Sequence, residues 1–437
     1  MQLVENEARE STGDEGGLRL DLLPVRKATL PFFYTPPLAL VAAGLLLVLW
    51  GSLALSTPWA TYTVALTHVL TLGFLTLSCL GFVYLLLGVL GVSPPAGLRI
   101  THFVYWFFLL GGLGLILGTA RLNIPFVQWA ISSVGLMTVV FLGHASRALR
   151  RASHRGATRQ ALALSLWGFL GVAFLGVWLA HGYGGMQFPG PRVLWTQTHA
   201  LVGLLAWLGA IMLTLSSELW PTLFRGRPFA PLGLVWIRGL LRLGLIGTVG
   251  LLVLAYFFPP QGGAKTLAPW VVLFVAPMAV AVWGLHSWCG LRSLRDGIQS
   301  GGLLYWRTGL ALGPWVLLSG GVAWSLGDPR SILLFGWLAL YGWAGMLVCG
   351  ALVGLVPRLL LISTPLEDRL NKAWLRLGFG LHLVALGAGS IGILSRHDDW
   401  VRLAGALMLL HGLELGGWLL RTLSATRPSV LECEGEA

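Results

Sequence analysis

The feature that most constrains this chain is a series of apolar runs of about 20 residues, the length that crosses a hydrocarbon layer of about 30 Å. Backbone groups in lipid must pair within their own segment, so each run is predicted to be a transmembrane helix. Only 11% of the residues are charged, against about 25% in soluble domains. The chain is therefore predicted to be an all-α polytopic membrane protein with twelve transmembrane helices, at residues 36–56, 61–90, 102–120, 125–147, 161–181, 195–219, 234–257, 268–289, 307–326, 331–361, 373–395 and 401–422.

Charged residues predict the orientation of these helices. Residues 1–35 and 423–437 are predicted to be cytoplasmic tails on either side of a transmembrane domain at 36–422. Arginines concentrate in alternate connections such as 147–159, whereas the opposite connections carry one or two basic residues. By the positive-inside rule both termini are cytoplasmic, in agreement with an even number of helices. The net charge of +12 is explained by this pattern, so we expect no nucleic-acid partner.

The cysteines give no recognisable cofactor motif. Cys79, Cys289, Cys349 and Cys433 are scattered, without a C-x-x-C or C-x-x-C-H sequence. Such motifs would indicate a zinc site, a redox pair or covalently attached haem. We therefore interpret all four residues as free thiols.

Three of the predicted helices resemble one another. The second carries Thr67-His68 and the sixth carries Thr198-His199 near its start, while the sixth and tenth share a proline near their ends, Pro221 and Pro357. Because these helices lie four apart in chain order, the pattern favours three repeats of four helices. Chance similarity between segments rich in leucine and glycine is the alternative.

Twelve helices in three pseudo-repeated arcs of four, with "THVLTLGF" in the second and "THALVGLLAWLG" in the sixth, resemble the catalytic subunit of the haem-copper oxidase superfamily. The similarity is to the branch of cbb3-type oxidases and nitric oxide reductases, and it covers the whole membrane portion. The resemblance implies that His68 is an axial ligand of a low-spin haem and that His199 is a ligand of copper or non-haem iron. It also fits the inner (cytoplasmic) membrane of a prokaryote.

The resemblance is incomplete at the expected ligands. In the family the seventh helix supplies a histidine pair and the tenth supplies one histidine to each haem, but residues 234–258 and 331–361 contain no histidine. A complete dinuclear metal centre is therefore not expected, and neither is oxygen or nitric oxide reduction by the standard mechanism. Whether the protein is an enzyme stays open.

Histidines on the last two helices are candidate replacements for the missing ligands. His382 and His411 are predicted near mid-membrane, where either could bind one b-type haem together with His68. Neutral imidazole is also a common ligand of copper and iron. A histidine that only makes structural hydrogen bonds is the alternative at each position, so the cofactor is one b-type haem, copper or iron, or none.

Two carboxylates lie within predicted helices, where ionisable groups are costly and therefore candidates for function. Glu414 follows His411 by three residues on the same helix face, which suits a proton relay, a partner orienting the imidazole, or a structural pair. Glu218 is a second candidate for such a role, although pairing with Arg225 at the cytoplasmic interface is the simpler interpretation.

Three functions remain open from the sequence. The first is a degenerate haem-copper-oxidase-like protein in a redox, nitrogen-oxide-related or respiratory-assembly role. The second is a proton-coupled transporter of a metal, haem or small solute, and the third is a structural membrane subunit. The expected partners are the lipid bilayer and, for the first and third functions, another membrane or redox subunit.

Overall fold

The computed structural model describes residues 26–92, 97–152, 157–182, 192–257, 268–295, 301–360 and 372–424, which form helices joined by short connections and contain no strand. The long helices are α1 (Lys27–Leu55), α2 (Thr61–Val89), α3 (Leu98–Ala120), α4 (Ile124–Arg151), α5 (Thr158–His181), α6 (Trp195–Phe224), α7 (Pro231–Phe257), α8 (Ala268–Ser293), α9 (Gly301–Leu326), α10 (Pro329–Leu360), α11 (Lys372–Ser395) and α12 (Asp398–Leu423).

Within the described ranges, nine of these helices are long and apolar enough to cross a membrane, namely all except α7, α8 and α9. Those three coincide with the predicted segments 234–257, 268–289 and 307–326. The polytopic membrane fold is therefore confirmed, whereas twelve membrane crossings and the orientation of the termini stay predictions. Large apolar side chains such as Val139, Phe174 and Trp315 are exposed on the outer surface, as a lipid environment requires.

The first helix begins earlier than predicted. It starts at Lys27 rather than residue 36, and Pro36 and Pro37 lie inside it. Residues 27–35 therefore belong to the helix rather than to the predicted tail. Proline has no amide hydrogen to donate, but the helix accommodates this pair, and Pro37 packs against α12, where a Cβ atom at Gly416 would lie 3.3 Å from Cβ of Pro37.

Three helices, α2, α6 and α10, form the centre of the structure. In their most apolar windows 89%, 78% and 67% of the residues are buried, against at most 44% in the other six candidate spans. The three helices contact one another, and the indole N–H of Trp207 on α6 donates to the Thr76 hydroxyl on α2 at 3.3 Å. They are the same helices in which the sequence similarity was found.

Each central helix is interrupted by a π-helical stretch. These stretches are Val69–Thr76 in α2, Val202–Gly209 and Leu215–Leu219 in α6, and Leu338–Ala344 in α10. No other long helix contains one within the part of the chain that the structure describes. π-Helical turns are rare and are found frequently at functional sites. They therefore direct attention to the side chains that the central helices carry.

Glycines allow close backbone contact within two pairs of helices. A Cβ atom at Gly302 on α9 would lie 2.8 Å from Cα of Gly354 on α10. Similarly, a Cβ at Gly44 on α1 would lie 2.5 Å from the carbonyl oxygen of Gly405 on α12. Such backbone contacts are typical of membrane helices. They hold α9 against α10 and α1 against α12.

Candidate metal centre

Three side chains that are far apart in the sequence converge between α10, α11 and α12. Cys349, His382 and His411 each offer one ligand atom, and these atoms all lie within 4.8 Å of one another. All three side chains are fully buried. Thiolate sulfur and imidazole nitrogen are ligands of transition metals. The group could therefore hold a metal ion.

The hydrogen bonds of His382 leave one ring nitrogen available to a metal. Its Nε2 lies 2.9 Å from the backbone oxygen of Tyr341. A carbonyl oxygen can only accept, so Nε2 carries the proton, and Nδ1 of the neutral ring keeps its lone pair. Nδ1 faces Sγ of Cys349 at 3.8 Å. Metal-binding histidines usually donate their other N–H in this way, which fixes the ring and its tautomer.

His411 also has one ring nitrogen with a hydrogen-bond partner and one without. Its Nε2 lies 3.3 Å from the Tyr305 hydroxyl. Its Nδ1 is buried and has no hydrogen-bond partner among the described residues. A weak hydrogen bond from the Cys349 thiol to His382 would explain that contact without a metal, but it leaves the Nδ1 atom of His411 unsatisfied. Other buried side-chain atoms of the described residues also lack a partner, among them Nδ1 of His199 and Nδ1 of His286, so the case for a metal rests on the three converging ligand atoms.

Aromatic rings enclose the two imidazoles. The His382 ring stacks on Tyr341 with centroids 4.1 Å apart, and the His411 ring lies nearly parallel to Tyr305 at 6.3 Å. The centroids of His382 and His411 are 4.7 Å apart. Axial imidazoles lie on opposite faces of a haem, so this spacing leaves no room for a porphyrin between the two rings. A single ion fits this space, and a haem held by His382 and His411 together does not.

Glu414 lies beside the cluster but is not part of it. Its side chain is partly exposed and packs against α11, where a Cβ atom at Gly378 would lie 2.1 Å from its Oε2. It is close enough to Cys349 and Tyr305 to interact with them electrostatically. The indole N–H of Trp374 donates to the backbone oxygen of Glu414 at 3.3 Å. Glu414 therefore places a carboxylate between the buried cluster and the periphery of the bundle.

His68 and His199 form a second group, away from this cluster. His199 is close enough to His68 for an electrostatic interaction and forms a hydrogen bond with the Val172 backbone. Nδ1 of His199 is buried without a hydrogen-bond partner in the described ranges. His68 Nδ1 lies 2.8 Å from the oxygen of Val64, to which it donates. Its pairing with His382 or His411 around a haem stays a prediction.

A further buried histidine was missed from the sequence. His286 on α8 is fully buried. Its Nε2 lies 2.8 Å from Oγ of Ser216, which belongs to a π-helical stretch of α6. Its place near the end of the predicted segment 268–289 gave no sign of this burial, and α8 continues to Ser293. The side chain of Glu218, in the same π-helical stretch, lies outside the described part of the structure.

Neither a comparison with models of known protein families nor a search of curated proteins found a match for this chain.

Proposed function

We propose that this chain is a haem-copper-oxidase-like membrane protein that binds one soft transition-metal ion at Cys349, His382 and His411. Its role is redox, nitrogen-oxide-related or in respiratory assembly. The observation that carries the proposal is the convergence of one ligand atom from each of three buried side chains within 4.8 Å, with the other ring nitrogen of His382 already held by the Tyr341 carbonyl. A bound ion would satisfy all three ligand atoms at once.

The donor set limits the identity of the ion. Thiolate sulfur favours Cu(I), zinc and iron–sulfur clusters, whereas magnesium, calcium and manganese favour oxygen ligands. The group contains one sulfur and two imidazoles but no carboxylate. The full burial of its members also excludes the water molecules that a magnesium site usually keeps. A soft transition metal is therefore the class of ion that this site fits.

Two features of the central helices support the scaffold named in the proposal. α2, α6 and α10 are four helices apart, and each carries a π-helical stretch at the centre of the bundle. Three equivalent interruptions are expected if the chain repeats a unit of four helices. The metal ligands belong to the last unit, α9–α12, and they provide a single mononuclear site. We therefore do not assign oxygen or nitric oxide reduction.

A b-type haem bound by His68 is the second candidate cofactor. Nδ1 of His68 donates to the backbone oxygen of Val64, which leaves Nε2 for a metal and is the usual way to orient a ligand histidine. A haem held there would supply one-electron chemistry. The protein's own contribution would be to fix the His68 ring and exclude water.

Metal transport is a second candidate function, favoured by the position of Glu414. A partly exposed carboxylate next to a buried thiol and two imidazoles gives a cation a stepwise path from the periphery to the ligands. Flux of radioactive or fluorescent-reported zinc and copper into proteoliposomes tests this alternative. A bound but immobile ion would favour the redox or assembly role.

The experiment that tests the metal site is elemental analysis of the full-length protein purified in detergent after expression in metal- and haem-replete medium. We expect about one copper or zinc ion per chain, and less than about a tenth of that content in His382→Ala, because loss of a ligand should exceed the 10- to 100-fold effect of losing a supporting residue. A metal-free wild type that also fails to bind added metal would refute the proposal. A Soret band that is lost in His68→Ala would identify the haem separately.

A further inference from the structure

We infer that the ion at Cys349, His382 and His411 is monovalent copper held by three ligands. This inference rests on the proposed metal site and makes it more specific. Two independent arguments lead to it: the charge that the burial of the cluster permits and the number of ligands that the described residues supply.

The charge argument starts from the full burial of all three ligands. The metal binds the thiolate form of Cys349, so the ligands contribute one negative charge. Cu(I) cancels that charge, whereas a zinc ion leaves one positive charge uncompensated. An uncompensated charge in a dry interior is expensive. Tyr305 and Tyr341, which line the cluster, are uncharged side chains. Glu414 interacts electrostatically with Cys349, but its side chain is partly exposed and it is not one of the three ligands.

The ligand-number argument starts from the size of the group. Structural zinc sites almost always have four protein ligands in a tetrahedron. Here the described residues supply three, with no fourth His, Cys, Asp or Glu in the group. A sulfur with two imidazoles is the trigonal arrangement that proteins use for copper. The site therefore fits three-coordinate copper better than four-coordinate zinc.

Binding of Cu(I) releases one proton and transfers no electron. Cu(I) forms a bond to Sγ of Cys349 as the S–H bond breaks, and one proton leaves to the buffer. The two imidazoles donate their lone pairs without losing a proton, because the described contacts leave one nitrogen of each ring free of a carbonyl partner. Copper therefore enters and leaves as the reduced ion, and one proton should be released for each ion bound.

The test is an anaerobic titration of the full-length protein in detergent with Cu(I), buffered by a coloured Cu(I) chelator, and a parallel titration with zinc. We expect one Cu(I) per chain and an affinity at least about 100-fold higher than for zinc. Cys349→Ser should weaken Cu(I) binding by about 100-fold or more, beyond the effect of losing a supporting residue. X-ray absorption of the wild-type copper complex should show three ligands, one of them sulfur.

Cys79→Ser is the matched control, because Cys79 is also a fully buried thiol but lies on α2 outside the cluster. It should bind Cu(I) as the wild type does. Tight zinc binding that depends on Cys349, together with weak Cu(I) binding, would overturn the copper inference and leave the metal site intact. Binding of neither ion would overturn both. If Cys349→Ser does not fold, the absorption spectrum of the wild-type complex decides, since four ligands or no sulfur would contradict the inference.

Discussion

Replacing His411 with alanine is expected to abolish the thermal stabilisation that copper or zinc gives the wild-type protein. An ion that binds only the folded state stabilises it by about 2.7 kcal/mol when its concentration is 100 times the dissociation constant. His411 holds the one ligand-type nitrogen of the cluster that has no hydrogen-bond partner among the described residues. Its loss leaves two ligands, Cys349 and His382, so the metal-dependent gain should fall to nearly zero. Thermal unfolding in detergent, with and without metal, measures this difference.

The readout is the difference between the metal-bound and metal-free protein, because removing a buried ring also creates a cavity that lowers stability by itself. His181→Ala is the control. His181 is exposed at the end of α5 and its ring nitrogen lies 2.7 Å from the oxygen of Val177 in the same helix. That variant should keep the full metal-dependent gain. An undiminished gain in His411→Ala would show that the metal binds elsewhere.

Replacing Gly44 with leucine is expected to destabilise the contact between α1 and α12 by about 3 kcal/mol or more, because overpacking a well-packed interface costs 1–3 kcal/mol and occasionally more. Even a Cβ atom at Gly44 would lie 2.5 Å from the carbonyl oxygen of Gly405 and from the amide nitrogen of Leu409. Both obstacles are backbone atoms, so no side-chain rotation relieves them. We expect a loss of properly folded protein, measured by the monodisperse fraction after detergent extraction and by thermal unfolding.

Gly143→Leu is the matched control for this substitution. Gly143 lies exposed on α4, and a Cβ atom there would meet no atom of another helix within 4 Å among the described residues. The same change at this position adds an apolar side chain on the outer surface without a clash, so stability should change by less than about 0.5 kcal/mol. Equal behaviour of the two variants would contradict the close backbone contact between α1 and α12.

The nine helices of the described ranges that are long and apolar enough to cross a membrane were predictable from the sequence, because hydrocarbon thickness fixes the length of an apolar run. Their ends were less predictable, since helix ends depend on local pairing. The first helix starts at Lys27 rather than at residue 36, because a helix can accommodate Pro36 and Pro37 when neighbouring helices pack against it. α8 likewise continues beyond its predicted end at residue 289, to Ser293.

Two of the three ligands of the candidate site were predictable from the sequence. His382 and His411 were singled out because buried imidazoles are costly in lipid, whereas Cys349 gave no signal by its residue type because cysteine is a small apolar side chain in most cores. Its depth along the helix is the one signal that points to it. Cys349 lies 11 residues before Leu360, His382 ten after Lys372 and His411 twelve before Leu423, so all three share one depth of about 15–18 Å from the same end of the bundle.

The π-helical stretch of α10 has a consequence for how the thiol is positioned. A π turn accommodates one more residue than an α turn, so the stretch is equivalent to one residue inserted into an α-helix. One residue corresponds to a rotation of about 100° in a helix of 3.6 residues per turn. The stretch Leu338–Ala344 ends five residues before Cys349. Deleting one residue from this stretch would therefore rotate the sulfur atom of Cys349 away from His382, although all three ligand residues would remain in the chain. The position of the thiol in the cluster therefore depends partly on the number of residues that precede Cys349 in α10.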